Sequence, residues 1–149
     1  VTIDTQKSLL TKLWTILTSD DTADIGLQAL MGGTVRCYLT WAEPDAEFPY
    51  LVHRIDIRKE PGTHVIQKAT YYLDIWSDSP NADEILAIRK RLIELLDELI
   101  FSTDEVYRAH IEVMSDGFVP EPEQGIWHYA TMWDWIFRRD SEAASIEGR

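Results

Sequence analysis

The sequence predicts a two-layer α+β domain: an antiparallel sheet of about four to five strands with two main α-helices packed on one face. Three observations carry this. Two alternating runs, residues 50–59 and 64–76, are joined by Glu60-Pro61-Gly62-Thr63, whose central Pro and Gly suit a type II turn, so the runs form an antiparallel hairpin. Ile85, Ile88, Leu92, Leu95, Leu96 and Leu99 then trace an apolar stripe at helical spacing. The element order is helix, two or three strands, long helix, two strands, without internal repeat or low-complexity tract.

Taken from the N-terminus, Leu10, Leu13, Trp14 and Leu17 recur at helical spacing behind Asp4, which suits a cap. An acidic connection, residues 20–33, carries a short helical piece at 25–30 that Gly32-Gly33 ends. Residues 35–41 alternate as a strand, and a loop bearing Glu43, Pro44, Asp45 and Glu47 leads to the hairpin. Ser79 or Asn81 can cap the long helix, with Pro80 in its first turn and Asp83 and Glu84 at the positive end of its dipole. Residues 106–114 read as a strand, 115–125 as a loop exposing Phe118 and Val119 beside two prolines, and 126–138 as the last strand.

At 149 residues the chain fits one domain over 1–140. Ile146-Glu147-Gly148-Arg149 matches a processing-protease recognition sequence used to remove purification tags, so 141–149 is expected to be an appended tail. Formal charge is −12, and setting aside Glu142, Glu147 and Arg149 leaves −12 − (−1) = −11. That sign argues against gripping nucleic acid, which needs clustered Lys and Arg. Arg89-Lys90-Arg91 has Glu84, Glu94, Asp97 and Glu98 along the same helix, some at three- and four-residue spacing, and reads as a solvated face. Cys37, the single cysteine, sits between Val35 and Leu39 and reads as a buried thiol in a reducing compartment. No run of about 18 apolar residues is present, and no export leader or membrane span is expected.

Catalytic patterns are missing. No glycine loop precedes Lys and Ser or Thr, and no Gly-x-Ser-x-Gly elbow occurs. His53, His64, His110 and His128 stand singly in strand patterns; His53 and His64 could meet across the hairpin, but ordinary hydrogen-bonded histidines are the better reading. No catalytic residue, cofactor or metal is expected, and the loop acids read as solvated charge.

The aromatic residues are more telling. In the last strand, Trp127, Tyr129, Trp133, Trp135 and Phe137 share one parity, while Ile126, Ala130, Met132 and Ile136 occupy the other. In the hairpin, Tyr72 and Trp76 lie opposite Val65, Ala69, Tyr71, Leu73 and Ile75. A sheet with one solvated face should alternate between apolar and polar, so a second apolar face needs a cover. The first helix is one candidate and would make these rings core; a neighbouring subunit is the other. A third use of such a face, a ligand pocket in a small-molecule-binding or enzymatic domain, is the rival reading.

Phe48-Pro49-Tyr50-Leu51-Val52, then Ala69-Thr70-Tyr71-Tyr72-Leu73-Asp74-Ile75-Trp76-Ser77, then the amphipathic segment from Ile85 to Leu99 follow one another in an order that resembles the tail-terminator (tail-completion, head-to-tail joining) proteins of long-tailed bacteriophages. The resemblance extends from the first helix to Arg138, on soft aromatic and apolar patterns, and is carried most closely by 48–52, 71–77 and 126–128. The segment before Phe48, with its acids and Trp41, departs from it. The resemblance implies a non-enzymatic virion protein that forms a ring of six copies at the head-proximal end of a tail, ending tube growth. It also implies contacts with tail-tube protein and a head-completion or neck protein, DNA passing without specific binding, and assembly in the host cytoplasm. Another neck or baseplate adaptor is the nearby alternative. Tyr72, Trp76, Phe118, Val119, Trp127, Trp133 and Trp135 are then expected at subunit or partner interfaces.

Overall fold

The computed structural model describes residues 2–59, 66–103 and 106–139. The Pro61-Gly62 turn, His64 and the 141–149 tail lie outside the described residues. Helices α1 (Thr2–Thr18) and α2 (Leu27–Leu30) precede strands β1 (Cys37–Leu39), β2 (Tyr50–Lys59) and β3 (Ile66–Ser77). Helix α3 (Asp83–Leu96) then leads to β4 (Leu99–Phe101), β5 (Val106–Val119) and β6 (Trp127–Arg139). The strands form one six-stranded sheet in the order β1-β2-β3-β6-β5-β4.

The α+β class stands, with three corrections to the sheet. It has six strands rather than four or five, and it is mixed, because β1 runs parallel to β2 with Cys37 beside Leu51. The connecting loop doubles back, held by Arg36. Its guanidinium donates to the carbonyl oxygens of Met31, Glu47, Phe48 and Pro49 at 2.9–3.3 Å, fixing the start of β2 against β1. Third, β5 continues to Val119, so Phe118 and Val119 lie in a strand and not in a loop. A bulge makes this possible: Val113 pairs with Trp133 and Ser115 with Met132, leaving Met114 without an opposite number.

Sheet residues facing the helices are buried along every central strand: Leu51, His53 and Ile55 in β2; Ala69, Tyr71, Leu73 and Ile75 in β3; Tyr129, Thr131, Trp133, Trp135 and Phe137 in β6. Leu9, Leu13 and Leu17 of α1 and Ile85, Ile88, Leu92 and Leu96 of α3 complete the same core. Leu99, read as the end of the helical stripe, instead opens β4 after Glu98 turns the chain at φ 63°. Asp4 lies inside α1 rather than before it. Asn81 accepts from the Asp83 amide at 2.9 Å, so it, and not Ser79, serves the start of α3.

Between α1 and α2, Asp20 ties the helical layer together. It accepts from Arg91 of α3 at 2.8 and 2.9 Å, from the Leu27 amide at 2.8 Å and from the Thr22 hydroxyl at 2.9 Å. Gly26 makes the turn possible, since a Cβ there would sit 2.6 Å from the Thr22 nitrogen and 2.8 Å from the Asp20 oxygen. Arg89 pairs with Asp116 of β5 at 2.7 Å. The basic cluster thus serves long-range pairs more than neighbours on its own helix, where Arg91 and Glu94 at 3.7 Å are one contact.

Candidate functional site

The open face of the sheet is the candidate site. The main helices α1 and α3 share the core on the opposite face, so the first helix does not cover the second apolar surface. Alternation and register place Tyr50, Val52, Arg54 and Arg58 of β2 on this open side, with Lys68, Tyr72, Asp74 and Trp76 of β3 and His128, Met132, Ile136 and Arg138 of β6.

The aromatic rings on this face are stacked under charged or polarisable groups. The Arg54 guanidinium lies 3.8 Å over the centre of the Tyr72 ring. Trp76 stacks between Tyr50, at 6.2 Å, and His128, at 3.8 Å and 13° between planes. Phe48 continues the ladder at 5.1 Å from Tyr50. This is why the FPY and LDIWS segments belong together: they are adjacent strands whose rings meet.

His128 anchors the far end. Its Nε2 lies 2.8 Å from an Asp74 carboxylate oxygen and its Nδ1 2.7 Å from a Glu121 oxygen, two acceptors that favour the doubly protonated ring. Burial opposes that charge, but the two carboxylates outweigh it and hold the pKa above the ordinary value. The contact pins the β5–β6 loop, through Glu121, to the middle of the sheet.

The seven residues expected at interfaces separate into three groups. Trp133 and Trp135 are 0% and 2% exposed and fill the core under the helices, so the expectation that they line a seam between chains is corrected. Parity alone could not distinguish the covered face from the open one. Phe118 and Trp127 lie together beyond the core on the helix side, with ring centres 5.8 Å apart; Phe118 also meets Tyr129 edge-on at 4.9 Å. The Trp127 indole donates to the Ser79 carbonyl at 3.0 Å. Tyr72, Trp76 and Val119 belong to the open face.

Sequence reasoning missed Trp41 as a site residue. It is 76% exposed, beside Leu39 at 58%. Its amide donates to the Leu39 carbonyl at 2.8 Å across Thr40, whose φ is 69°. The departure of this segment from the family pattern was the available signal.

Inside the core the Trp135 indole nitrogen is buried without a hydrogen-bond partner, whereas His53 and Tyr71 are paired with each other. His53 Nδ1 and the Tyr71 hydroxyl are 2.7 Å apart, and burial pushes the histidine down to about 4. Burial pushes the Cys37 thiol up to about 12, leaving it a thiol at neutral pH. Among the described residues no group of His, Cys, Asp and Glu is arranged to hold a metal, and no helix is long and apolar enough to cross a membrane. Shallow depressions lie among the described residues. One, of about 270 Å³, lies between Arg54, Tyr72, Asp74, Asp116 and Met132; another, of about 420 Å³, lies between Pro80, Glu121, Ile126 and Trp127.

No family model and no curated protein matches the sequence. Among solved structures, a chain from the virion of a native gene transfer agent (GTA) particle is similar at 12% identity with a TM-score of 0.64. The correspondence covers 91% of this chain and 96% of that one, so the two share a fold almost from end to end.

Proposed function

We propose that this chain is a structural subunit of a phage-like virion that closes the head-proximal end of a tail as a ring of six copies. The observation that carries the reading is the fold-length correspondence with a chain of a virion particle. The resemblance of residues 48–52, 71–77 and 126–128 to tail-terminator proteins is what favours the head-proximal position within this reading. One surface of the ring meets the last layer of tail-tube protein and the opposite one a head-completion or neck protein. Its work is mechanical rather than catalytic: it stops tube growth, fixes tail length and leaves a channel through which DNA passes without specific binding.

The open sheet face supports this reading. Its aromatics are half-buried and stacked beneath charges, and no helix among the described residues covers them. Tyr72, Trp76 and Val119 on that face, and Phe118 and Trp127 at the sheet's end, are the contacts assigned to neighbouring copies or partners. Electron microscopy of the purified protein at moderate salt is expected to reveal annular particles with six-fold symmetry, and labelling in intact virions should mark the tail's head-proximal end. Labelling at the baseplate would refute the terminator role while leaving a virion role intact.

A further inference from the structure

Three contacts meet at the His128 ring, and each favours its charged form. The ring lies flat on the Trp76 indole, 3.8 Å between centres and 13° between planes, where a cation meets the electron-rich face. Its Nε2 is 2.8 Å from an Asp74 oxygen and its Nδ1 2.7 Å from a Glu121 oxygen. A neutral imidazole has one N–H donor, so it serves one of these carboxylates and turns a lone pair towards the other. Only the imidazolium closes both sides.

The two carboxylates are anchored unequally. Asp74 lies within β3, opposite Val52 of β2 on one side and Ala130 of β6 on the other. Glu121 lies in the connection between β5 and β6, where Pro120, Pro122, Glu123, Gln124 and Gly125 are all exposed. Among the described residues, Glu121 is the only side chain of 120–126 that hydrogen-bonds to the sheet. A depression of about 420 Å³ lies between this connection and Ser79-Pro80, so close packing does not hold it on that side.

No other cation takes the place of the ring. Among the described residues no lysine or arginine forms an ion pair with Asp74 or Glu121. Arg54 of β2 shares a depression with Asp74 but is paired with Asp56 and lies over Tyr72. Tyr50 of β2 is near Glu121, and burial together with that carboxylate keeps its phenol protonated. Glu123 adds a further negative charge to the connection, while Val119, opposite His128 in β5, adds none.

We propose that Asp74, His128 and Glu121 form a proton-operated latch: the doubly protonated ring fastens the connection 120–126 to the sheet, and when the ring gives one proton to solvent, the Glu121 arm lets go while the Asp74 arm stays. The remaining N–H goes to Asp74 because β3 is fixed between two strands, whereas the connection is free to withdraw. Burial lowers the affinity of the ring for its proton, but the bonds to Asp74 and Glu121 outweigh burial and hold the pKa above 6.5. The latch is therefore closed at neutral pH and opens as pH rises through the folded value. It lies wholly within one chain and holds or fails independently of the assembly reading. Within that reading, it sets the outline of the surface that carries Trp76 and Trp127.

The test follows two quantities on the purified full chain from about pH 6 to about pH 10. The His128 Cε1–H resonance reports the proton, and hydrogen exchange of the 121 and 123–126 amides, corrected for its intrinsic pH dependence, reports the connection. As His128 titrates, protection of these amides is expected to fall at least about tenfold, the loss of one charge-assisted hydrogen bond. The Leu73 and Ile75 amides of β3 should stay protected, which marks local release and not unfolding. Glu121→Gln supplies an amide that bonds to the ring in either state. Its connection is expected to keep the same protection throughout, and its His128 to titrate at lower pH than in the parent. Parent protection that is unchanged while His128 titrates overturns the latch, as does an equal fall in Glu121→Gln. A His128 that is already neutral at about pH 6, or that keeps its proton until the fold is lost, overturns it as well.

Discussion

Trp133 shows how a residue's role follows from which face of a strand it occupies. Its indole donates to the Thr131 hydroxyl at 2.8 Å, and that hydroxyl donates to the Leu73 carbonyl at 2.6 Å, so the ring's polar edge is satisfied inside the core. Trp133→Ala is expected to cost about 3–5 kcal/mol in urea unfolding, the usual penalty for emptying a buried indole site. Trp76→Ala, on the open face, is expected to cost far less and to act on association instead. A Trp133→Ala variant with unchanged stability would return that residue to the interface. His53 supplies a pH signature of the same core. In the unfolded chain its imidazole takes a proton near 6.5, but burial holds the folded group at about 4, so the unfolded state binds more protons between those values. Stability is therefore expected to fall as pH drops from 6.5 towards 4, by about 3 kcal/mol at most from this group. The parent should lose that increment and His53→Gln should not; equal pH profiles would contradict it.

At the scale of the element, the helical layer depends on one ion pair more than on caps. Asp20 is buried and joined to Arg91 through two hydrogen bonds, which, with the Leu27 amide and Thr22 hydroxyl, outweigh burial and hold its carboxyl down to about 2. Its contribution is present above pH 3.8 and lost as pH falls through the folded value. Asp20→Asn is expected to destabilise by about 3 kcal/mol, because the Arg91 charge is left without its partner; thermal unfolding at neutral pH measures this, and a loss below about 0.5 kcal/mol would count against the role. Elements that followed a single local rule were legible in sequence. β2 spans residues 50–59 as its alternation indicates, and the α3 stripe marks the helix's buried side. The extension of β5 was not legible, because the bulge at Met114 reverses the alternation and Gly117 follows. β4 was hidden because Leu99 continues the helical spacing while the backbone turns at Glu98. Parallel pairing of β1 was hidden because it depends on Arg36 reaching four distant carbonyls. The aromatic site was half legible: Tyr72 and Trp76 were placed on a face apart from the hairpin's core residues, but which face the helices would cover is a property of packing.

For the whole molecule, charge opposes assembly. Each copy carries −12, so the six-copy ring proposed above would multiply a repulsion that reaches about 30 Å at 0.01 M salt and about 8 Å at physiological strength. Association followed by light scattering is therefore expected to be weakest in the most dilute buffer and to rise with salt. Larger particles at the lowest salt than at physiological strength would oppose this.

Met114 is a spare link in β5, and this bears on how the gene can change length. Removing it would leave Val113 opposite Trp133 and Ser115 opposite Met132, so inside and outside keep their places along the rest of the ladder. Removing Thr131 from β6 would instead turn every later side chain over and present Trp133 and Trp135 to water. Soluble yield and melting of the two one-residue deletions should therefore diverge sharply, with the first tolerated and the second not.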